Sequence, residues 1–234
     1  MTELLVTMLI FGVVLAAIMT LSIGFMKTNG QTTTRQNQVD TARVVVETVS
    51  RNLRTAVMPS QLTSTCSGCT QDAFVVGKDF AVQFYANINN PGNSVGPSRV
   101  TYTLSTSGTT AGDLVEKIQV PDSNVPTASG YVYCDAEAVG ASATCKARLK
   151  TRTVAKGVQS SGQPIFAYYD GVGARLSPAT AGGSLSSLDL SHVLSVELMV
   201  SVQAKTGIKV DPTTYIQRLT LPNAQAVLRQ EETP

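Results

Sequence analysis

The sequence has little charge, one histidine and few aromatic residues. Lys and Arg number 18 against 16 Asp and Glu, a formal net charge of +2, and charged residues are 15% of the 234. That balance is too mild for a nucleic-acid-binding stripe, an acidic tail or a solvated disordered region. A lone histidine, His192, undercuts a Ser-His-Asp triad or a histidine-based metal centre, because both need several partners at set geometry. His192 is expected at a strand end. Tyr168 and Tyr169 are adjacent in a strand-like stretch. Aromatics of this kind stack on bases in single-strand binders, but in a strand they are expected to be half-buried packing. Neither a cofactor nor a metal is expected, nor a nucleic-acid partner.

What the chain does have is an opening apolar run, MTELLVTMLIFGVVLAAIMTLSIGFMK. From Leu4 to Met26 it is apolar or small and uncharged, and as a helix it measures about 35 Å, enough to cross a bilayer. A cleaved secretory signal is the rival reading, but such signals use about 7 to 15 apolar residues behind a basic stretch. The run is therefore expected to be retained, as a membrane anchor over 1–26. Lys27, Arg35 and Arg43 follow it, and the positive-inside rule applied to them alone would put the remaining chain in the cytoplasm. Glu3 stands at the head of the run, and a charge within a membrane span is a functional hypothesis by default.

Over 27–58 the chain reads as an amphipathic continuation of the helix. Val39, Ala42, Val46, Val49, Leu53 and Ala56 recur at steps of three and four and form one apolar stripe, and no proline intervenes before Pro59. Gly24 and Gly30 are the expected bending points. Over 59–226 the period changes to two. Phe80, Val82 and Phe84 share a face, as do Val100, Tyr102 and Leu104, and also Val196, Leu198, Val200 and Val202. Further strands are expected at LVEKIQV, around YVYC and KARLKTRTV, at IFAYYD before a turn at Gly171 and Gly173, and at TTYIQRLTLPN. PGNSVGPS and SPATAGGSLSS read as surface excursions, and 227–234 as a frayed tail. One long helix followed by strands with Gly/Pro/Asn/Ser loops implies an α+β protein, its largely antiparallel sheet packed on the helix stripe.

Cys66, Cys69, Cys134 and Cys145 are even in number within a Ser/Thr/Gly/Asn-rich chain, the pattern of an oxidising, extracytoplasmic compartment. Three pairings are possible, and proximity favours Cys66 with Cys69 and Cys134 with Cys145. Cys66-Ser-Gly-Cys69 also fits a redox pair or half a zinc site. The first needs a βαβ setting and the second two more ligands; the loop setting favours a structural disulfide.

A glutamate followed by Leu-Leu-Val and some twenty apolar residues, then an amphipathic helix feeding a β domain, resembles type IV pilins and type II secretion pseudopilins. TELLVTMLIFGVVLAAI is similar to their prepilin-type N-terminal methylation segment, and Glu3 matches the glutamate that sits five residues into the mature chain there. Here it stands third, so the native start is expected upstream of Met1, with a basic leader that reconciles the positive charges with an extracytoplasmic head. FAVQFYANI, RVTYTLS, LVEKIQV, IFAYYDGVGARL and LSHVLSVELMVSV resemble the strand succession of PilW-type minor pilins and J-type pseudopilins. The resemblance implies a non-enzymatic filament subunit with an inner-membrane anchor. Other pilin subunits would meet its N-terminal helix, and a prepilin peptidase and an assembly platform would act on it. It also implies a tip position where assembly starts, and pairing of Glu3 with a neighbour's N-terminal amine. The alternatives are a membrane-anchored extracytoplasmic enzyme using Cys66/Cys69, and a surface adhesin or DNA-uptake receptor.

Overall fold

The structure, a computed structural model, describes residues 2–62, 66, 69, 71–160, 163–203, 210–221 and 223. The expected tail over 227–234 lies outside the described residues. Helix α1 (Thr2–Leu53) has 52 residues and is about 78 Å long. It runs through Gly24 and Gly30 without interruption, and the hydroxyls of Thr28 and Thr34 donate back to those two glycine carbonyls at 3.0 and 2.8 Å. Every residue from Thr2 to Asn29 is exposed. Burial begins further along, at Gln38, Ala42, Val45, Val46, Val49, Ser50 and Leu53. The apolar stripe is thus where the residue spacing puts it, except that Val39 is only half-buried while Gln38 and Val45 are inside.

The helix ends at Leu53, five residues short of the expected 58. Backbone pairing with a strand competes for the chain there: Val57 N donates to Tyr85 O and Asn87 N to Thr55 O, both at 3.0 Å, and Ala56 bridges Ala86. Met58 is extended (φ −72°, ψ 133°) ahead of Pro59, which opens a 3-10 turn over Pro59–Gln61, as the steric clash with a following proline ring favours.

The strands form two antiparallel sheets rather than one. The first places β1 (Phe74–Gly77), β2 (Ala81–Ala86), β3 (Ser98–Leu104), β4 (Leu114–Gln119) and β5 (Leu149–Ala155) side by side in chain order. The second contains β6 (Phe166–Tyr169), β7 (Arg175–Leu176), β8 (Ser195–Val202) and β9 (Thr213–Thr220), in the order β7-β6-β8-β9. Val82 and Phe84, Val100, Tyr102 and Leu104, and Val196, Leu198, Val200 and Val202 all point into the core. α1 packs on both sheets, and Tyr168 ties them together: its buried hydroxyl donates to Lys78 O at 3.0 Å and to Ala81 O at 3.2 Å. Tyr169 is half-buried beneath the Arg218 guanidinium, 3.5 Å from its ring centre. Both tyrosines pack.

Three local expectations are corrected. YVYC is irregular, and KARLKTRTV is a strand only from Leu149. Its first part belongs to α2 (Ala143–Arg148), started by Ser142, whose hydroxyl accepts from Cys145 N at 3.1 Å. His192 caps the end of α3 (Ser187–Ser191) instead of a strand, its N–H donating to Asp189 O at 3.1 Å. The SPATAGGSLSS excursion is pinned inward by Leu185, which is buried and donates its N–H to Gly77 O at 2.8 Å.

Candidate functional site

The N-terminal half of α1 buries nothing within its own chain. Its sixteen large apolar side chains between Leu4 and Met26 are 40 to 76% exposed. Covering them is worth on the order of tens of kcal/mol, and a patch of this extent marks a contact with lipid or protein. The helix is long and apolar enough to cross a membrane, and its backbone groups are satisfied internally, the condition a spanning segment must meet. Its threonines comply as well: Thr7 donates to Leu4 O at 3.0 Å and Thr20 to Ala17 O at 2.8 Å. Glu3 is then the one charged group from Thr2 to Met26. It lies in the first turn of α1, exposed, where the free N–H groups of the helix end favour a carboxylate.

The four cysteines form two local disulfides far from Glu3. Cys66 and Cys69 are joined with their Cα atoms 5.0 Å apart, and Cys134 and Cys145 with theirs 6.1 Å apart. Cys66 is fully buried, and its sulfur is tied up in the disulfide, so no free thiolate stands there. The second bridge fastens α2 to the segment at Tyr133 and Cys134. That segment is held to the outer face of the first sheet: Gln119 Nε2 donates to Cys134 O and the Tyr133 hydroxyl to Pro97 O, each at 2.6 Å. Tyr133 also stacks on Tyr85 and carries Arg99 over its ring, 4.8 Å from the centre.

A buried polar network that sequence reading passed over joins the far end of the helix to the head. Glu116 is 2% exposed. It accepts from the Tyr102 hydroxyl at 2.5 Å, from Asn52 Nδ2 at 3.0 Å and from Arg152 Nη2 at 3.1 Å, with Arg152 Nε bonded as well. Asn52 also donates to the Tyr102 hydroxyl at 2.7 Å. A buried carboxylate is costly unless paired and fully bonded, and here it is both. Burial, and then the bond to Glu116, push the Tyr102 hydroxyl well above the usual phenol range. The bond to Glu116 likewise raises Arg152. The signal was present in LVEKIQV, where alternation places Glu116 on the same side as Leu114 and Ile118.

A shallow polar groove on the outer face of the first sheet includes Gln83, Arg99, Lys117, Asp135 and Glu137. Its charges serve one another: Lys117 Nζ holds Glu137 at 2.6 and 2.7 Å, and Arg99 donates to Gln119 at 2.6 Å. Among the described residues no three His, Cys, Asp or Glu side chains are grouped to hold a metal ion. Comparisons with protein-family models, with curated proteins and with solved structures found no match. The exposed apolar half-helix with Glu3 is the feature that asks for a partner.

Proposed function

We propose that this chain is a structural minor pilin or pseudopilin subunit. The first half of α1 sits in the inner membrane and then enters the shared helical core of a type IV pilus or type II secretion-like filament, with the head on the extracytoplasmic side. One observation carries the reading: α1 is a single helix whose second half is core to the head, while its first half is exposed throughout and bears one carboxylate at its start. An apolar helix leaves lipid only if neighbouring helices bury the same surface. Glu3, brought into that core, needs a positive partner, because an unpaired buried charge is heavily penalised and a paired one is tolerated. A neighbouring subunit's N-terminal amine meets that need and sets axial register as subunits add. Prepilin peptidase and an assembly platform are the accessory partners of such a cycle.

The test separates anchoring from assembly. Glu3→Ala and Glu3→Gln are expected to insert in membranes and fold like wild type, while recovery in sheared filaments, or the number of filaments, falls. An ordinary membrane anchor gives a different outcome, since removing an acid from the edge of a span is neutral or favourable to insertion. Unchanged recovery and unchanged filament number at equal expression would make the simple anchor the better account.

A further inference from the structure

Three of the four sheet edges are blunted. At β1, Leu185 N donates to Gly77 O at 2.8 Å and Gly77 N to Ser184 Oγ at 3.3 Å. β7 has two residues. β5 turns Leu149, Thr151 and Thr153 outward, but the Leu149 N–H is taken by Lys146 O, and Lys150 and Arg152 lie between them; charged side chains are a usual defence of an edge. Among the described residues β9 has no such defence. Its eight residues, TTYIQRLT, contain no proline, pair with β8 without a bulge and carry one charge, Arg218, folded back over the Tyr169 ring.

The direction of its free groups follows from the register. Leu221 N donates to Leu194 O at 2.8 Å in line with the β8–β9 pairing, while Met199 N turns the other way, to Ile165 O at 2.9 Å. Tyr215, Gln217 and Leu219 therefore point their backbone groups at β8, and Thr214, Ile216, Arg218 and Thr220 point theirs outward. Among the described residues no strand or bridge pairs with those four. The side chains of all four are exposed, Ile216 at 59%. Outward groups recurring about every 6.8 Å match another extended backbone.

We propose that the free edge of β9 receives an extended strand from a different polypeptide of the assembly, an inference that rests on the filament reading above. The chain's own geometry argues against a second copy. α1 runs in the same direction as β9, because Gln38 meets Thr213 and Ser50 meets Gln217, at 3.3 and 2.9 Å. Antiparallel pairing of two β9 strands would point their helices in opposite directions, whereas helices entering one membrane or one filament core run together. Parallel pairing of β9 with itself needs a one-residue offset, which a closed two-fold does not supply. β5 carries Lys150 and Arg152, the same sign as Arg218 of β9, so pairing head-to-tail with β5 brings together edges of like charge. The fitting partner strand is neutral or acidic and rich in Thr, Val or Ile.

The experiment compares amide exchange of the full chain in detergent micelles, in membranes and in the sheared filament fraction. In micelles the amides of Thr214, Ile216, Arg218 and Thr220 exchange fast and those of Tyr215, Gln217 and Leu219 slowly. In filaments the first four are expected to slow by about tenfold or more. Ile216→Lys, and Ile216→Pro, which deletes an outward N–H while sparing the ladder to β8, are expected to lose incorporation at unchanged membrane insertion. If Ile216→Pro misfolds, Ile216→Lys and the wild-type exchange pattern decide. Exchange that stays fast in filaments overturns the proposal, as does wild-type recovery of Ile216→Lys alongside loss of Glu3→Ala; in both cases the filament reading stands. If Glu3→Ala and Ile216→Lys are both recovered like wild type, the filament reading falls. The edge proposal, which rests on that reading, falls with it.

Discussion

The carboxylate of Glu116 is bonded by three side chains from three different elements, so each partner acts partly by keeping that charge satisfied. Tyr102→Phe removes the donor at 2.5 Å and is expected to cost about 1 to 3 kcal/mol at neutral pH, read from urea midpoints. The same hydroxyl gives a pH dependence with a definite sign. Its folded-state value is raised above 10.0, so above that pH the unfolded chain loses a proton that the folded chain keeps. Stability is thus full below about pH 10 and declines as pH rises past it. Buried Tyr168, also raised, adds to the same decline. Comparing midpoints at pH 8 and pH 10.5 should show the fall, and Tyr102→Phe should make it smaller. A rise in stability over that interval would contradict the assignment. Glu3 could be read from the sequence because it interrupts an apolar context. Glu116 escaped because its cost is cancelled by Asn52, Tyr102 and Arg152, which lie between 14 and 64 residues away.

Among the elements, α1 was the most legible, since its stripe depends only on a repeat along one segment. Val46→Asp and Leu53→Asp place a charge at sites 5% and 0% exposed and are expected to destabilise the head by about 3 to 5 kcal/mol. Val44→Asp, on the opposite side and 53% exposed, should be within about 0.5 kcal/mol of wild type. Equal melting of all three variants would show that the stripe is not core. The helix end was less legible. Nothing in residues 54 to 57 forbids a further turn; the bonds to Tyr85 and Asn87 draw the chain away, and Pro59 only holds Met58 extended after it. The disulfides were readable because their sequence separations, 3 and 11, make local closure the easiest. Replacing Cys134 and Cys145 together with Ser should cost about 2 to 4 kcal/mol and loosen α2 against the first sheet. Non-reducing peptide maps should show both local bridges in the wild type.

At the scale of the whole molecule, the head and the first half of α1 are energetically separable, because residues 2–29 contribute no buried side chain. A chain beginning at Thr28 should therefore be soluble without detergent and melt within about 2 °C of the full chain. A large loss of stability would mean that the exposed half supports the head. The α+β class, the single long helix, the apolar run and most strand faces were set by the sequence alone, because each rests on a period of 3.6 or 2 within a few turns or one strand. Division into two sheets was decided elsewhere. β6 and β8 pair across 25 or more intervening residues, and the position of β6 under the first sheet depends on Tyr168 reaching the Lys78–Ala81 turn. The same holds for Glu116 and for the open edge of β9. A side chain's neighbours, and a strand's last unpaired side, exist only after distant segments have met, and local periodicity carries no record of which segments those are.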